Sequence, residues 1–191
     1  LSFTSMFDYP QEAMRFMGSA QAISEELNIQ GVFTEEVMMR LEENMSNKDS
    51  LIDIVSSTYV DTDLYLQDNE RPIIAKAILA GAWLEGLYIA VNLQTDSNQA
   101  SVIWEKIGEQ KPALSNLVKM LEDCKDAQFD SLISDLNKLV NLFDNVQLNY
   151  ETTIKSSEKS KLVETLKVDI SEDLFKKIQA KTSSIRDSIV D

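Results

Sequence analysis

The sequence predicts an all-α fold, a single-domain bundle of about seven or eight helices over residues 1–191. Glycine and proline are scarce, with five and three residues, and 43% of the residues are hydrophobic. Most apolar residues recur at spacings of three and four, which is typical of amphipathic helices. The third observation is a long apolar segment, residues 72–92. We expect this segment to be a central hydrophobic helix surrounded by the others.

The first third of the chain is predicted to form three helices that are separated by short polar segments. Pro10 suits the first turn of the first helix, and Thr34 is a good N-cap for the second. The third helix is predicted to begin at Asp49 or Ser50. The apolar faces of these helices are predicted to consist of Met14 and Met17, then Val37, Met38 and Leu41, then Leu51, Ile52, Val55, Tyr59 and Leu66.

Two acidic residues of the third helix, Asp61 and Asp63, raise the question of metal binding. An Asp-x-Asp pair can hold a hard cation in a loop. On a helix, however, the two carboxylates point about 200° apart and cannot chelate together. The glycine and the distant glutamate of a calcium-binding loop are missing from the sequence around them. We therefore predict no metal site.

Residues 72–92 predict a helix that is apolar on all sides. Pro72 suits its first turn, and Asn69 is predicted to be its N-cap. A length of about 20 residues would also span a bilayer core. Lys76 and Glu85 lie inside the segment, however, and charges at membrane depth are expensive. Because its alanines and glycines make the helix thin, we interpret it as the buried axis of the bundle.

The second half of the chain predicts four more helices. Pro112 separates a helix around Trp104 from the following one. A regular apolar stripe predicts that the next helix begins near Asp126 and continues to Tyr150.

The last part of the chain predicts a loop, an extended segment and a final helix. Residues 152–161 are polar and are interpreted as a helix end and a loop. Apolar and polar residues alternate over residues 166–170, which is typical of an extended segment. Ser171, followed by two acidic residues, predicts the N-cap of the last helix.

Glu85 is the candidate functional residue of greatest interest. A carboxylate on a buried helix has to be paired, hydrogen-bonded or neutralised. Tyr88 can share its face, whereas Lys76 lies near Trp83 on another side of the helix. Two interpretations stay open. One is a structural polar network or a position at the rim, and the other is a ligand-binding pocket around Glu85, Tyr88, Trp83 and Lys76.

The composition excludes several classes of function. The chain has no histidine, which removes catalysis by Ser-His-Asp or Cys-His groups and most zinc sites. Cys124 is the single cysteine, so an internal disulfide cannot form. A net charge of −14, concentrated in residues 1–100, disfavours binding to nucleic acid. We predict no catalytic residue, no cofactor and no nucleic-acid partner.

Residues 69–72 and 79–88 resemble a recurring segment in uncharacterised all-helical lipoproteins of Gram-negative bacteria. Residues 168–173 and 185–190 are similar to the ends of those chains. The resemblance covers about a quarter of the chain and implies a single helical domain in the cell envelope or periplasm. There is no signal peptide or lipid-attachment cysteine near Leu1. The resemblance therefore implies that any lipid anchor, and with it any membrane contact, would come from a segment outside this sequence.

Three functions are consistent with these observations. We favour a non-enzymatic binding or scaffold domain of the bacterial cell envelope, whose partner is a protein or a small ligand. The second hypothesis is an enzyme or small-ligand-binding protein with a pocket around Glu85 and Tyr88. The third is a cytosolic helical adaptor. The sequence leaves the oligomeric state open.

Overall fold

The computed structural model describes residues 10–29, 31, 34–45, 47–93, 97–155 and 161–190. Eight α-helices lie in this part of the chain, which confirms the all-α fold class and the predicted number of helices. In chain order, the elements are α1 (Pro10–Glu26), α2 (Glu35–Glu43), α3 (Lys48–Asp68), α4 (Pro72–Asn92), α5 (Ser97–Gly108), α6 (Lys111–Glu122), a 3-10 turn (Ala127–Phe129), α7 (Asp130–Phe143), β1 (Gln147–Lys155), β2 (Lys161–Asp169) and α8 (Glu172–Val190).

The chain divides into two compact units. The first ends at Ala75 and the second begins at Lys76, so the boundary falls within the first turn of α4. Each unit contains a hydrophobic cluster that shares no residue with the other. The single domain expected over residues 1–191 stays a prediction.

The first unit contains α1, α2 and α3. The N-cap predicted at Thr34 is confirmed, because its side chain accepts a hydrogen bond from the backbone N–H of Val37 at 3.3 Å. Asn47 caps α3 in the same way, accepting from the N–H of Ser50 at 3.1 Å. The helix therefore begins at Lys48, one residue before the predicted start. Among the described residues of this unit, Met17, Leu41, Leu51 and Ile54 form a buried cluster, and Ile29 and Leu66 are buried outside it.

The turn between α3 and α4 differs from the prediction. Asn69 ends α3 instead of starting α4, since its backbone N–H and its side-chain amide both donate to the carbonyl of Tyr65, at 3.0 and 2.7 Å. An asparagine amide can donate to the free carbonyls of a helix end as well as accept at a helix start. Arg71 donates to the carbonyl of Leu27, just beyond the C-terminal end of α1. The helix dipole stabilises a cation at this end.

The second unit is organised around α7, which packs against both α6 and α8. The buried side chains of α7 recur at spacings of three and four and form one apolar stripe. The core of this unit, around that stripe, consists of Ala80, Leu84, Leu87, Val91, Ile107, Leu114, Leu117, Val118, Leu121, Phe129, Leu136, Leu139, Phe143, Val146, Ile170, Ile178 and Ile185.

The bounds predicted for α4 are confirmed, but the prediction that it is buried on all sides is wrong. Its fully buried residues are Ala80, Leu84, Leu87 and Val91, whose spacings of four, three and four place them on one side. On the other side, Leu79 is 43% exposed. Only 17% of the most apolar 18-residue window of α4 is buried.

The physical reason lies in the size of the α4 side chains. Hydrophobic stabilisation follows the apolar area that is removed from water. Alanine and glycine, which fill much of α4, offer little such area. The leucine and phenylalanine stripe of α7 offers more, and it takes the central position that was expected for α4.

The prediction that the seventh helix continues to Tyr150 is also wrong. Helix α7 ends at Phe143, and the chain then enters the antiparallel hairpin of β1 and β2. The Nζ of Lys111 donates to the carbonyls of Asp144 and Val146, both at 3.1 Å. These hydrogen bonds satisfy backbone carbonyls just past the C-terminal end of α7, and they therefore stabilise the end of the helix at this position.

The extended segment predicted over residues 166–170 is confirmed as far as Asp169, in β2. The loop predicted over residues 152–161 is partly wrong, because residues 152–155 belong to β1 and Lys161 begins β2. Residues 156–160 lie outside the described part of the chain. The predicted N-cap Ser171 is confirmed by a 3.2 Å hydrogen bond from the N–H of Leu174.

Candidate functional site

The four candidate site residues all lie on α4, but they lie on different sides of it. Glu85 and Tyr88 are beside Arg186 of α8. Trp83 is among the residues that line a cleft between α4 and α5. Lys76 is half-buried and is not among the residues that line this cleft. The structure therefore does not assemble the four into one pocket, and their ligand-binding roles stay predictions.

Glu85 and Tyr88 hold one arginine between them. The Nε of Arg186 donates to Glu85 Oε2 at 2.8 Å, and its guanidinium carbon lies 4.5 Å from the centre of the Tyr88 ring. The hydrogen bond that Arg186 donates to Glu85 raises the pKa of the arginine. The Glu85 side chain is 46% exposed. This carboxylate is therefore at a rim and not in a dry core, which favours the structural network that the sequence left open.

A second contact joins α8 to the end of α4. The Nε2 of Gln179 donates to the carbonyl of Val91 at 2.7 Å and to Asn92 Oδ1 at 3.3 Å. Because the last carbonyls of a helix lack partners within it, this amide satisfies a backbone group that would otherwise be unpaired. Together with Arg186, it fixes α4 to α8 along the side that carries Glu85.

An apolar cleft lies on a different side of α4, between this helix and α5. Its volume is about 400 Å³. Leu87 and Ile107 are buried and form its floor, whereas Ala82, Gly86 and Leu93 are exposed at its mouth. The described residues that line the α4–α5 cleft are Ala82, Trp83, Gly86, Leu87, Ala90, Leu93, Ile103, Lys106, Ile107 and Gln110.

The small residues of α4 make room for this cleft. A Cβ placed on Gly86 would meet no atom within 4 Å outside its own helix turn. The neighbouring positions Ala82 and Ala90 also carry minimal side chains. The small side chains that were expected to place α4 at the buried axis of the bundle instead lie beside open space.

The polar groups of the cleft are few. The indole Nε1 of Trp83 is buried and has no hydrogen-bond partner among the residues that the structure describes. At the rim, the Nζ of Lys106 donates to both carboxylate oxygens of Glu109 at 2.8 Å. This interaction raises the pKa of Lys106, so the ammonium group stays charged and hydrogen-bonded to Glu109. The polar side chains that line the cleft are thus Trp83, whose N–H is buried and unpaired, Lys106, which is paired with Glu109, and Gln110, whose amide donates to the carbonyl of Lys106 at 3.4 Å.

The structure also bears on metal binding. No group of three or more His, Cys, Asp or Glu side chains able to hold a metal ion occurs in the described ranges. Asp61 and Asp63 lie on α3, where Asp63 accepts a hydrogen bond from Gln67 at 2.6 Å. Cys124 is half-buried just after α6 and donates to the carbonyl of Met120.

Only part of the cleft was predictable from the sequence. Trp83 was named as a candidate, but it was not connected with the lining residues that α5 and the turn after it contribute, which are Ile103, Lys106, Ile107 and Gln110. The sequence predicted a helix around Trp104, but it did not place this helix beside the small side chains of α4. That placement depends on the tertiary structure.

The comparisons with other proteins add no relative. No family model, no curated protein and no solved structure matches the chain. By length and composition alone, α4 could cross a membrane, with 21 residues and a mean hydropathy of 1.6.

Proposed function

We propose that the chain is a non-enzymatic ligand-binding domain of the bacterial cell envelope and that the α4–α5 cleft is its binding site. The cleft itself is the observation that carries the proposal. It is concave, mostly apolar and about 400 Å³ in volume. Pockets for small molecules are typically about 300–1,000 Å³ and are lined mainly by hydrophobic side chains with a few polar groups.

The side chains of the cleft favour binding over catalysis. Among the described lining residues, Lys106 is the one charged side chain, and none is a carboxylate. General acid–base catalysis needs a titratable group near the operating pH. The hydrogen bond from Lys106 to Glu109 raises the pKa of the lysine away from that range. The chain also has no histidine to take this role.

The envelope location rests on the resemblance of residues 69–72 and 79–88 to segments of helical lipoproteins. Fractionation of the native host, followed by detection of the chain, tests it. Recovery with the envelope supports this part of the proposal. Recovery in the cytosol would contradict it, favour an adaptor in that compartment, and leave the proposal about the cleft unaffected.

Two substitutions on the same helix test the cleft. Gly86→Leu places a large side chain at its mouth, whereas Gly81→Leu places the same side chain on α4 outside the lining residues. Neither new Cβ meets an atom within 4 Å. Both variants gain helix propensity by the same substitution, about 0.8–1 kcal/mol. Any difference in ligand binding between them therefore reflects position.

The probe is the neutral fluorophore 6-propionyl-2-dimethylaminonaphthalene, whose emission shifts to the blue in an apolar site. We expect Gly86→Leu to weaken its binding about tenfold or more, because the leucine occupies the volume that the probe needs, while Gly81→Leu binds like the unmodified chain. Equal binding by both variants would exclude the cleft as the site.

A further inference from the structure

We infer that the ligand of the α4–α5 cleft is a neutral, mainly apolar molecule that carries one hydrogen-bond acceptor, such as a carbonyl or ether oxygen, and that this acceptor binds the indole N–H of Trp83. The inference rests on the proposed function and specifies the chemistry of the same site. It follows from the indole nitrogen of Trp83 and the ammonium group of Lys106. The third polar side chain of the cleft, Gln110, donates from its amide to the carbonyl of Lys106 at 3.4 Å.

The indole N–H of Trp83 is the first of these groups. A buried donor is almost always hydrogen-bonded in folded proteins, and an unpaired one needs an explanation. The Nε1 atom has less than 1 Å² of accessible surface and no partner in the described part of the chain. Since Trp83 forms part of the cleft wall, a bound acceptor is the partner that the site can supply. Because the Nε1 atom has almost no accessible surface in this structure, the inference requires the indole ring to turn its N–H toward the cleft when the acceptor binds.

The ammonium group of Lys106 is the second group, and it argues against an anionic ligand. Both of its short contacts go to Glu109, at 2.8 Å. An anionic ligand would have to compete with this carboxylate. It would also approach a chain with a net charge of −14. Because a carboxylate ligand would lose hydration without gaining a free cation, a neutral acceptor is favoured.

Three probes of nearly the same shape separate these possibilities. 2-Acetylnaphthalene carries a carbonyl group, 2-isopropenylnaphthalene replaces the carbonyl oxygen with a methylene group, and 2-naphthoate carries a carboxylate. Binding is measured by displacement of the fluorophore, for the unmodified chain and for Trp83→Phe. Trp104→Phe is the matched control, because Trp104 stacks on Phe175 with ring centres 4.8 Å apart and is not among the lining residues.

We expect Trp83→Phe to weaken binding of the ketone about tenfold, since one hydrogen bond is lost, and to weaken binding of the alkene about twofold or less. Trp104→Phe leaves the ratio of the two affinities unchanged. The naphthoate binds at least about tenfold more weakly than the ketone to the unmodified chain. Naphthoate binding as tight as the ketone would overturn the preference for a neutral group.

A measurement on the unmodified chain does not depend on how the variants fold. In ¹⁵N-labelled protein, the ketone should move the indole N–H proton resonance of Trp83 downfield, and the alkene should not. If both probes bind, Gly86→Leu blocks both, and this resonance responds to them equally, the inference about the acceptor is wrong and the proposed function stands. If neither probe is sensitive to Gly86→Leu, the proposed function fails as well.

Discussion

The two units of the chain differ most in the size of their cores. Among the described residues of the second unit, seventeen buried residues form one cluster around α7. In the described part of the first unit, four buried residues form the cluster, and large apolar side chains such as Phe16, Ile23 and Val60 are more than half exposed. Because burial of apolar surface is the main favourable contribution to folding, stability should be concentrated in the second unit.

The same substitution in each core tests this comparison and has the largest expected effect. Leu139 is completely buried in the second unit, and Leu41 is buried in the first. We expect Leu139→Ala to lower the free energy of unfolding by about 3–5 kcal/mol and Leu41→Ala by about 2–3 kcal/mol, since the smaller cluster can collapse further around the cavity.

Urea unfolding followed by two signals measures both effects. The two tryptophans, Trp83 and Trp104, lie in the second unit, so their fluorescence reports that unit, while far-UV circular dichroism reports the helices of both. Leu139→Ala should lower the fluorescence midpoint, and Leu41→Ala should change mainly the circular dichroism curve. Equal shifts of the fluorescence midpoint in both variants would show that the units do not differ in this way.

Two glycines, one in each unit, differ in the space that an added Cβ would have. A Cβ on Gly108, in the second unit, would clash with Cγ1 of Val168 and would lie 3.1 Å from Cγ1 of Val146. Both neighbours are β-branched and stiff. A Cβ on Gly31, in the first unit, would lie 2.7 Å from the outer ring edge of Tyr65, which can turn away.

We therefore expect Gly108→Ala to destabilise the chain by about 1–3 kcal/mol and Gly31→Ala by less than about 1 kcal/mol. The measurement is the free energy of unfolding in urea. Adding Val168→Ala to Gly108→Ala should restore part of the loss, because it removes the clashing methyl group. If the double variant loses as much free energy of unfolding as the two single variants lose together, the close approach at Gly108 is not the cause.

The sequence allowed prediction of features that depend on neighbours in the chain. The side-chain caps at Thr34 and Ser171, and the bounds of α4 after Pro72, depend on local geometry and were confirmed. The end of α7 was not predictable in this way. Apolar residues near Phe143 and Tyr150 fit the helical period, and short apolar segments of this kind are ambiguous between helix and strand.

Burial and the site depend on tertiary placement, which the sequence does not contain directly. An apolar residue need not be buried, as Leu79 on the outer side of α4 shows. Trp83 was named as a candidate because it lies on this helix. Its connection to Ile107 across the cleft depends on how α5 packs beside α4. The role expected for Glu85 rested on a dry helix, and its side chain is partly exposed.

The smallest expected difference between the units is electrostatic. In the second unit, Asp135 Oδ1 accepts from Lys181 at 2.6 Å and from Lys138 at 2.9 Å, and the Asp135–Lys181 pair is about one-quarter exposed or less. The hydrogen bond from Lys181, and then that from Lys138, lowers the pKa of Asp135. In the first unit, the described pair of Arg15 and Glu12 is largely exposed, at 3.2 Å.

A lowered carboxylate pKa has a definite consequence for stability. The contribution of Asp135 is fully present above its unfolded pKa of about 3.9 and is lost as the pH falls through the lower folded value. Lys181→Met should therefore cost about 0.5–1 kcal/mol near pH 7 and progressively less below about pH 3, whereas Arg15→Met should cost about 0.3 kcal/mol or less at either pH. Urea midpoints at the two pH values measure this, and a loss in Lys181→Met that did not shrink in acid would show that the lysine stabilises α8 through packing of its stem.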